Sequence, residues 1–128
     1  MEAWTVVVAY VPHAFDMFNV EHVDLIRSAA MCSDRVVLGV LTDQEILVRS
    51  GREPVVPLAE RLEIVRHVRG VDDVLVHDPA LVPDGARVMV AAGEALRWQG
   101  AEVLPQGRIS TSDALRRALR GPADEALG

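Results

Sequence analysis

Short apolar runs alternate along this chain with segments in which apolar residues recur every three or four positions. The runs predict buried strands over residues 6–11, 35–41, 73–77, 87–91 and 102–104. The helical spacing predicts helices over residues 20–32, 44–49, 57–68 and 110–119. Helix signals support these bounds, because Gly70 follows the third helix and Ser110 opens the last one in the manner of a capping box.

Strand and helix in strict turn, with strands made almost entirely of Val, Ile and Leu, are typical of a parallel sheet covered on both faces. We therefore predict an α/β fold with a doubly wound, mostly parallel five-stranded sheet. Half of the 128 residues are apolar, which suits one compact core. The prediction is a single domain over residues 1–121, followed by a tail over residues 122–128. In such a fold the ligand lies at the carboxyl ends of the strands.

The segment 13–22 is the strongest candidate for a ligand site. The first apolar run ends at Pro12 and passes directly into a helix-periodic segment, in which Asn19 is a natural N-cap. A strand that turns into a helix N-terminus directs unpaired backbone N–H groups outwards, and this geometry binds phosphates.

Composition narrows the function classes. The net charge of −6 argues against a nucleic-acid partner, and all 13 basic residues are arginine, so guanidinium groups must hold any anion. The single cysteine excludes an internal disulfide and suits a reducing compartment; Cys32 falls on an apolar helix face and is predicted to be a buried, inert thiol. No apolar run approaches the roughly 20 residues of a membrane span. Glu2 stands where a signal peptide would be basic, so we expect a cytoplasmic protein without membrane contact.

The segment 13–22 resembles the signature Gly-x-Phe-Asp-x-x-His-x-Gly-His of the cytidylyltransferase-like nucleotidyltransferases, of the glycerol-3-phosphate cytidylyltransferase type. Phe15, Asp16 and His22 match it, whereas His13, Asn19 and Glu21 replace the first Gly, the first His and the second Gly. The HxGH motif is therefore degenerate. Further family-like segments follow in the expected order at residues 41–43, 54–61, 69–74 and 109–112.

The resemblance implies the HxGH nucleotidyltransferase fold, which is Rossmann-like, and an enzyme that transfers CMP, or in relatives AMP, to a small phosphate or phosphonate. If this activity survives, CTP and Mg²⁺ are the expected cofactors. His22 and Asn19 are then the catalytic hydrogen-bond donors. The residues expected to bind substrate or phosphate are His13, Ala14, Phe15, Asp16, Glu21, Arg49, Arg52, Arg108, Ser110 and Thr111. The expected partner is a small anionic molecule, and the family's habit of pairing suggests a homodimer.

An alternative function class stays open at this point. Glu21 puts a negative side chain where a nucleotide would press on bare backbone, and like-charge contact with phosphate can cost several kcal/mol. The family's Gly-Asp-Asp-Trp segment has only a faint echo around Gly93 and Trp98. The protein is then a repurposed member that binds a partner or a non-nucleotide molecule. We assign no metal ligands, because neighbouring helix residues such as Glu21 and His22 point about 100° apart.

Two residues carry competing interpretations. Asp16 is either a phosphate-site residue or a turn-forming residue whose side chain bonds nearby backbone. Trp98 is either a packing residue or a platform for a base. His67 and His77 are interpreted as surface or strand-end residues without a role.

Overall fold

A computed structural model of the chain describes residues 5–111 and residue 119. Its five strands form one sheet in the order β3-β2-β1-β4-β5, and every registered pair is parallel. The strands are β1 (Val8–His13), β2 (Arg35–Val40), β3 (Asp73–Val76), β4 (Arg87–Val90) and β5 (Glu102–Val103). The chain lays down β1, β2 and β3 in one direction and then crosses back to β4 on the other side of β1. This reversal defines a doubly wound sheet, so the predicted fold class is confirmed.

Three α-helices lie among the described residues: α1 (Val20–Met31), α2 (Asp43–Ser50) and α3 (Leu58–Arg66). α1 packs on β1 and β2, and α3 packs on β2 and β3. The connections on either side of β4 contain only 3₁₀ helices, Pro79–Leu81 and Ala92–Arg97, which no helical periodicity predicted. Most of the predicted last helix over residues 110–119, and the predicted tail, fall outside the described residues.

The core is the seam between the sheet and the helices, and β1 lies at its centre. Ala9 and Val11 of β1 are fully buried, as are Leu38 of β2 and Ala29 of α1. Ile26 of α1 and Val65 of α3 lie in the apolar stripes that the helical spacing predicted, and Leu25 of α1, which the predicted stripe did not include, is also buried in this core. Apolar burial of this kind is the main stabilising contribution to the fold.

Three sequence-based expectations need correction. β1 does not end at Pro12 but continues through His13, because the fixed φ of proline is compatible with an extended strand and Pro12 lies near the carboxyl end. α3 ends before residue 68, since His67 caps it through hydrogen bonds from its N–H to the carbonyl oxygens of residues 64 and 65. Cys32 is exposed rather than buried, because α1 ends at Met31 and Cys32 is its C-cap.

Candidate functional site

A cleft opens at the carboxyl ends of β1 and β4, the two strands between which the order of the sheet reverses. Ligands of doubly wound folds bind at this position. The cleft has a volume of about 370 Å³ and is lined from β1, α1, the residues after β4 and the segment 105–108. Two further cavities, of about 290 and 80 Å³, share His13 with it.

The turn between β1 and α1 has a conformation that side chains rarely adopt. Phe15 and Met17 both have φ of 51°, in the left-handed region. Asp16 lies between them, and its two carboxylate oxygens accept hydrogen bonds from the backbone N–H groups of Val55 and Val56 at 2.9 and 2.8 Å. Asp16 therefore anchors the segment before α3, rather than forming the local turn that was one of its two interpretations.

Two imidazoles face each other at the base of the cleft. His13 Nδ1 accepts from the Phe15 N–H at 2.9 Å and His22 Nδ1 accepts from the Asn19 N–H at 3.0 Å, so each neutral ring carries its proton on Nε2. The ring centres are 5.0 Å apart in an edge-to-face arrangement. Burial, with a smaller contribution from His22, lowers the pKa of His13 to about 3. His13 is therefore a neutral hydrogen-bond donor at pH 7.

Asn19 begins α1 as its N-cap, as predicted. Its Oδ1 accepts from the Glu21 N–H at 2.9 Å, and with the His22 ring it forms a reciprocal capping box. The side-chain amide donates to the Met17 carbonyl oxygen at 3.4 Å. The oxygen of Asn19 thus satisfies a backbone donor that the phosphate-binding interpretation had reserved for the ligand.

Two carboxylates of α1 hold the segment that borders the far side of the cleft. The Ser110 N–H donates to Glu21 Oε2 at 2.8 Å. The Arg108 N–H, Nε and Nη2 donate to Asp24 at 2.7, 2.9 and 2.7 Å, and these bonds hold the pKa of the Asp24 carboxyl well below its usual range. Gly107 permits this approach, because a Cβ there would lie 2.4 Å from the Asp24 Cβ.

Asp24 was missed in the sequence, although one signal pointed to it. It lies three residues after Glu21 and so shares a helix face with it, at a position where the apolar stripe of α1 is interrupted. The contact between Glu21 and Ser110 nevertheless agrees with the expectation that the turn 12–22 and residue 110 belong to one site.

The small cavity is bounded by an aromatic and guanidinium cluster. The Arg49 guanidinium lies 4.3 Å above the Trp98 ring and its Nε bonds to Glu45 at 2.9 Å. The edge of Trp98 packs against the His77 ring, with ring centres 5.0 Å apart. The Tyr10 hydroxyl lies 2.7 Å from His77 Nδ1. Trp98 is therefore held by packing contacts, and His77 is a buried residue of this cluster rather than a surface one.

The remaining predicted site residues differ in where they lie: some are in the core or line a cavity, and others are exposed. Phe15 is buried in the core, and Ala14 lines the small cavity. Thr111 is exposed. Arg52 is exposed and lies outside the lining of the cleft and of both adjoining cavities, because α2 ends at Ser50 and Gly51 turns the chain away. A contact between Arg52 and a bound phosphate stays a prediction.

Arg61 is a further residue whose importance the sequence did not reveal. Its side chain is fully buried, and Nε donates to the Val56 carbonyl oxygen at 2.8 Å. Nη1 donates to the carbonyl oxygens of Ala14 and Leu41 at 2.8 and 2.7 Å, and Nη2 pairs with Asp43. This guanidinium joins the turn after β1 to the end of β2 and the segment before α3. These bonds hold together the backbone segments beside the cleft.

Within residues 5–111, no three His, Cys, Asp or Glu side chains are arranged to hold a metal ion. Among the described helices, none has both the length and the apolar character that crossing a bilayer requires.

Comparison with known proteins assigns the chain to a family. The solved lipopolysaccharide core biosynthesis protein from Thermoplasma volcanium superposes with a TM-score of 0.61 at 14% identity, covering 81% of this chain and 100% of that chain. This likeness supports the fold.

Curated relatives include three kinds of enzyme. Ethanolamine-phosphate cytidylyltransferase of Arabidopsis thaliana is 29% identical over 136 residues, 86% of this chain and 32% of that protein. FAD synthase of Pyrococcus abyssi is 34% identical over 65 residues, 51% of this chain and 44% of that protein. Phosphopantetheine adenylyltransferase of Ralstonia pickettii is 31% identical over 107 residues, 84% of this chain and 56% of that protein. The chain thus spans between about a third and just over half of these relatives. The family model described as cytidylyltransferase-like matches residues 10–121, and the chain therefore belongs to the cytidylyltransferase-like family.

Proposed function

We propose that this domain is a nucleotidyltransferase that binds CTP or ATP in the cleft and transfers the nucleotidyl group to a small phosphate or phosphonate. One observation carries the proposal. His22 occupies the family's histidine position at the N-terminus of α1, and its Nδ1 is fixed by the Asn19 N–H, beside His13 at the point where the sheet order reverses.

In this reaction an oxygen of the acceptor phosphate attacks the α-phosphorus, the bond from that phosphorus to the bridging oxygen breaks, and pyrophosphate leaves. The protein contributes positioning and hydrogen-bond donors rather than covalent chemistry. In their neutral forms, the rings of His13 and His22 each carry an Nε2–H group that is such a donor. The N-terminus of α1 favours an anion by about 0.3–1 kcal/mol. Bound Mg²⁺ would supply neutralisation of the phosphate charge.

Guanidinium groups, each paired with a carboxylate, lie on both sides of His13. Arg108 lines the larger cleft, and Arg49 and Arg97 line the small cavity. We assign the nucleotide to the larger cleft and the acceptor phosphate to the small cavity, because the acceptor must approach the α-phosphorus from the side opposite to the leaving pyrophosphate. Arg49 then replaces the lysine that the family has in this region.

A second candidate function is favoured by the hydrogen bonds within the cleft. Asp24 already pairs with Arg108, Glu21 already accepts from Ser110, and Asn19 already caps α1. The hydrogen-bonding groups that a phosphate would use are thus already paired within the protein. Such a protein can use the scaffold to bind a partner or a weakly charged molecule without transferring a nucleotidyl group. A cytoplasmic location, supported by the single cysteine, and a homodimer remain part of either proposal.

The test is a titration of the protein with CTP and ATP, with and without Mg²⁺, followed by a pyrophosphate-release assay over a panel of phosphates and phosphonates. We expect His22→Ala to lower turnover by about a hundred- to a thousandfold, since an oriented donor to the reacting phosphate is lost. His67→Ala is the matched control, because His67 is an exposed histidine at the end of α3. Wild-type protein that binds neither nucleotide and releases no pyrophosphate would contradict the transferase proposal and favour the second candidate.

A further inference from the structure

Glu21 is the acceptor of the backbone N–H of residue 110. Its carboxylate accepts the Ser110 N–H at 2.8 Å, and its side chain borders both the cleft of about 370 Å³ and the adjoining cavity of about 290 Å³. Backbone N–H groups of this kind bind the oxygens of carboxylates and phosphates alike. Glu21 therefore lies between the cleft and the Ser110 N–H, and its carboxylate supplies the acceptor that this donor uses.

Asp24, one turn further along α1, makes a contact of a different kind. It receives three hydrogen bonds from Arg108, two of them from the guanidinium in the paired geometry that suits a carboxylate. Gly107 lies directly against it. The Glu21 contact, by comparison, consists of one hydrogen bond from one N–H. Of the two carboxylates that hold the segment 107–110, Glu21 is the one that a competing anion can displace.

We propose that Glu21 is a specificity-determining residue that competes within the molecule for the anion position at Ser110. A phosphate-bearing ligand binds by taking over the Ser110 N–H, while Asp24 keeps Arg108 in place at the border of the cleft. This competition disfavours singly charged ligands and admits those with enough charge to make further contacts. The inference rests on the proposed function only in taking the cleft as the ligand site.

The experiment uses inorganic pyrophosphate as the probe and the backbone amide of Ser110, followed by NMR, as the reporter. We expect Glu21→Ala to bind pyrophosphate at least about tenfold more tightly than the wild type, because the competing charge is gone. Glu21→Gln should lie between them, since its amide oxygen still accepts from Ser110 but carries no charge. Glu63→Gln removes an exposed carboxylate from α3 and should leave the affinity for pyrophosphate at its wild-type value.

In the wild type, the Ser110 resonance should shift as pyrophosphate is added. The inference is overturned if Glu21→Ala and Glu21→Gln both bind pyrophosphate no better than the wild type, or if pyrophosphate leaves the Ser110 resonance unchanged. Because Glu21→Gln is nearly isosteric, it keeps the test valid if Glu21→Ala fails to fold. The two proposals fail separately: tighter pyrophosphate binding without nucleotidyl transfer would reject only the transferase, and transfer with unchanged pyrophosphate affinity would reject only the role of Glu21.

Discussion

Tyr10 supports the cleft from within the sheet, and Gly39 leaves room for its ring. The Tyr10 side chain crosses from β1 over β2 and its hydroxyl meets His77, which in turn packs against Trp98 at the small cavity. A Cβ at residue 39 would lie 1.9 Å from the Tyr10 hydroxyl oxygen. Burial, followed by the charges of nearby carboxylates, raises the pKa of Tyr10 to about 12, so the phenol stays protonated. Glycine is therefore required at position 39 by a neighbour and not by its own backbone angles.

Gly39→Ala should lower the free energy of unfolding by about 1–3 kcal/mol, the usual cost of forcing atoms into a packed core. Urea denaturation measures it. Gly93→Ala is the control, because no atom lies within 4 Å of a Cβ built there. Equal stabilities of the two variants would contradict the steric requirement.

At the scale of residues, the sequence predicted those features of the site that depend on neighbouring residues. It did not predict the contacts between residues that are far apart in the chain. Asn19 was recognisable as an N-cap because capping depends on the next three residues alone. The pairing of Asp24 with Arg108 joins residues 84 positions apart and has no local signature. The burial of Cys32 was predicted from helical spacing, which cannot locate the turn at which α1 ends.

At the scale of elements, Arg61 connects the parts that surround the cleft. It is a fully buried cation whose donors reach the carbonyl oxygens of Ala14, Leu41 and Val56 and the carboxylate of Asp43. A buried charge is costly unless it is paired and hydrogen-bonded, and here these acceptors satisfy it. One side chain thus links the turn after β1, the end of β2 and the segment before α3.

Arg61→Lys should lower the free energy of unfolding by about 2–4 kcal/mol, because an ammonium cannot reproduce the planar set of donors and leaves buried carbonyl oxygens unpaired. Arg66→Lys, an exposed position on the same helix with a 3.5 Å contact to Glu63, should change stability by no more than about 0.5 kcal/mol. Chemical denaturation of the two variants side by side measures the difference. A cost at Arg61 as small as that at Arg66 would show that its hydrogen bonds are dispensable.

The existence and order of the helices and strands were predictable because each carries apolar residues at a regular spacing, and the fold buries those residues. α1 and β2 begin at the residues that the pattern indicated, Val20 and Arg35. The 3₁₀ helix Ala92–Arg97 could not be found in this way, since a short 3₁₀ segment has no sustained apolar period. This segment borders the cleft, and the family resemblance had marked it only as a faint echo around Gly93 and Trp98.

At the scale of the whole molecule, several groups that accept protons poorly in the folded state make the protein sensitive to acid. Burial lowers the pKa of His13 to about 3 and also lowers that of His77, while hydrogen bonds from Arg108 lower the pKa of Asp24. In each case the unfolded chain binds the proton more readily than the folded one. For each group, stability therefore rises with pH between its lowered pKa in the folded state and its ordinary pKa in the unfolded chain, and it levels off above the latter.

Between about pH 4.5 and 7 the titration of His13 and His77 should dominate this dependence, because carboxylates in the unfolded chain are mostly ionised above their ordinary pKa of about 4. The free energy of unfolding should rise with pH, by up to about 1.4 kcal/mol per pH unit for each histidine, and level off above the ordinary histidine pKa of about 6.5. His13→Asn should reduce this slope, because asparagine does not titrate and its oxygen can still accept the Phe15 N–H. His67→Gln removes an exposed histidine and should keep the wild-type slope. Urea titrations across this pH range provide the measurement, and a His13→Asn slope equal to that of the wild type would mean that His13 is protonated as easily in the folded protein as in the unfolded chain.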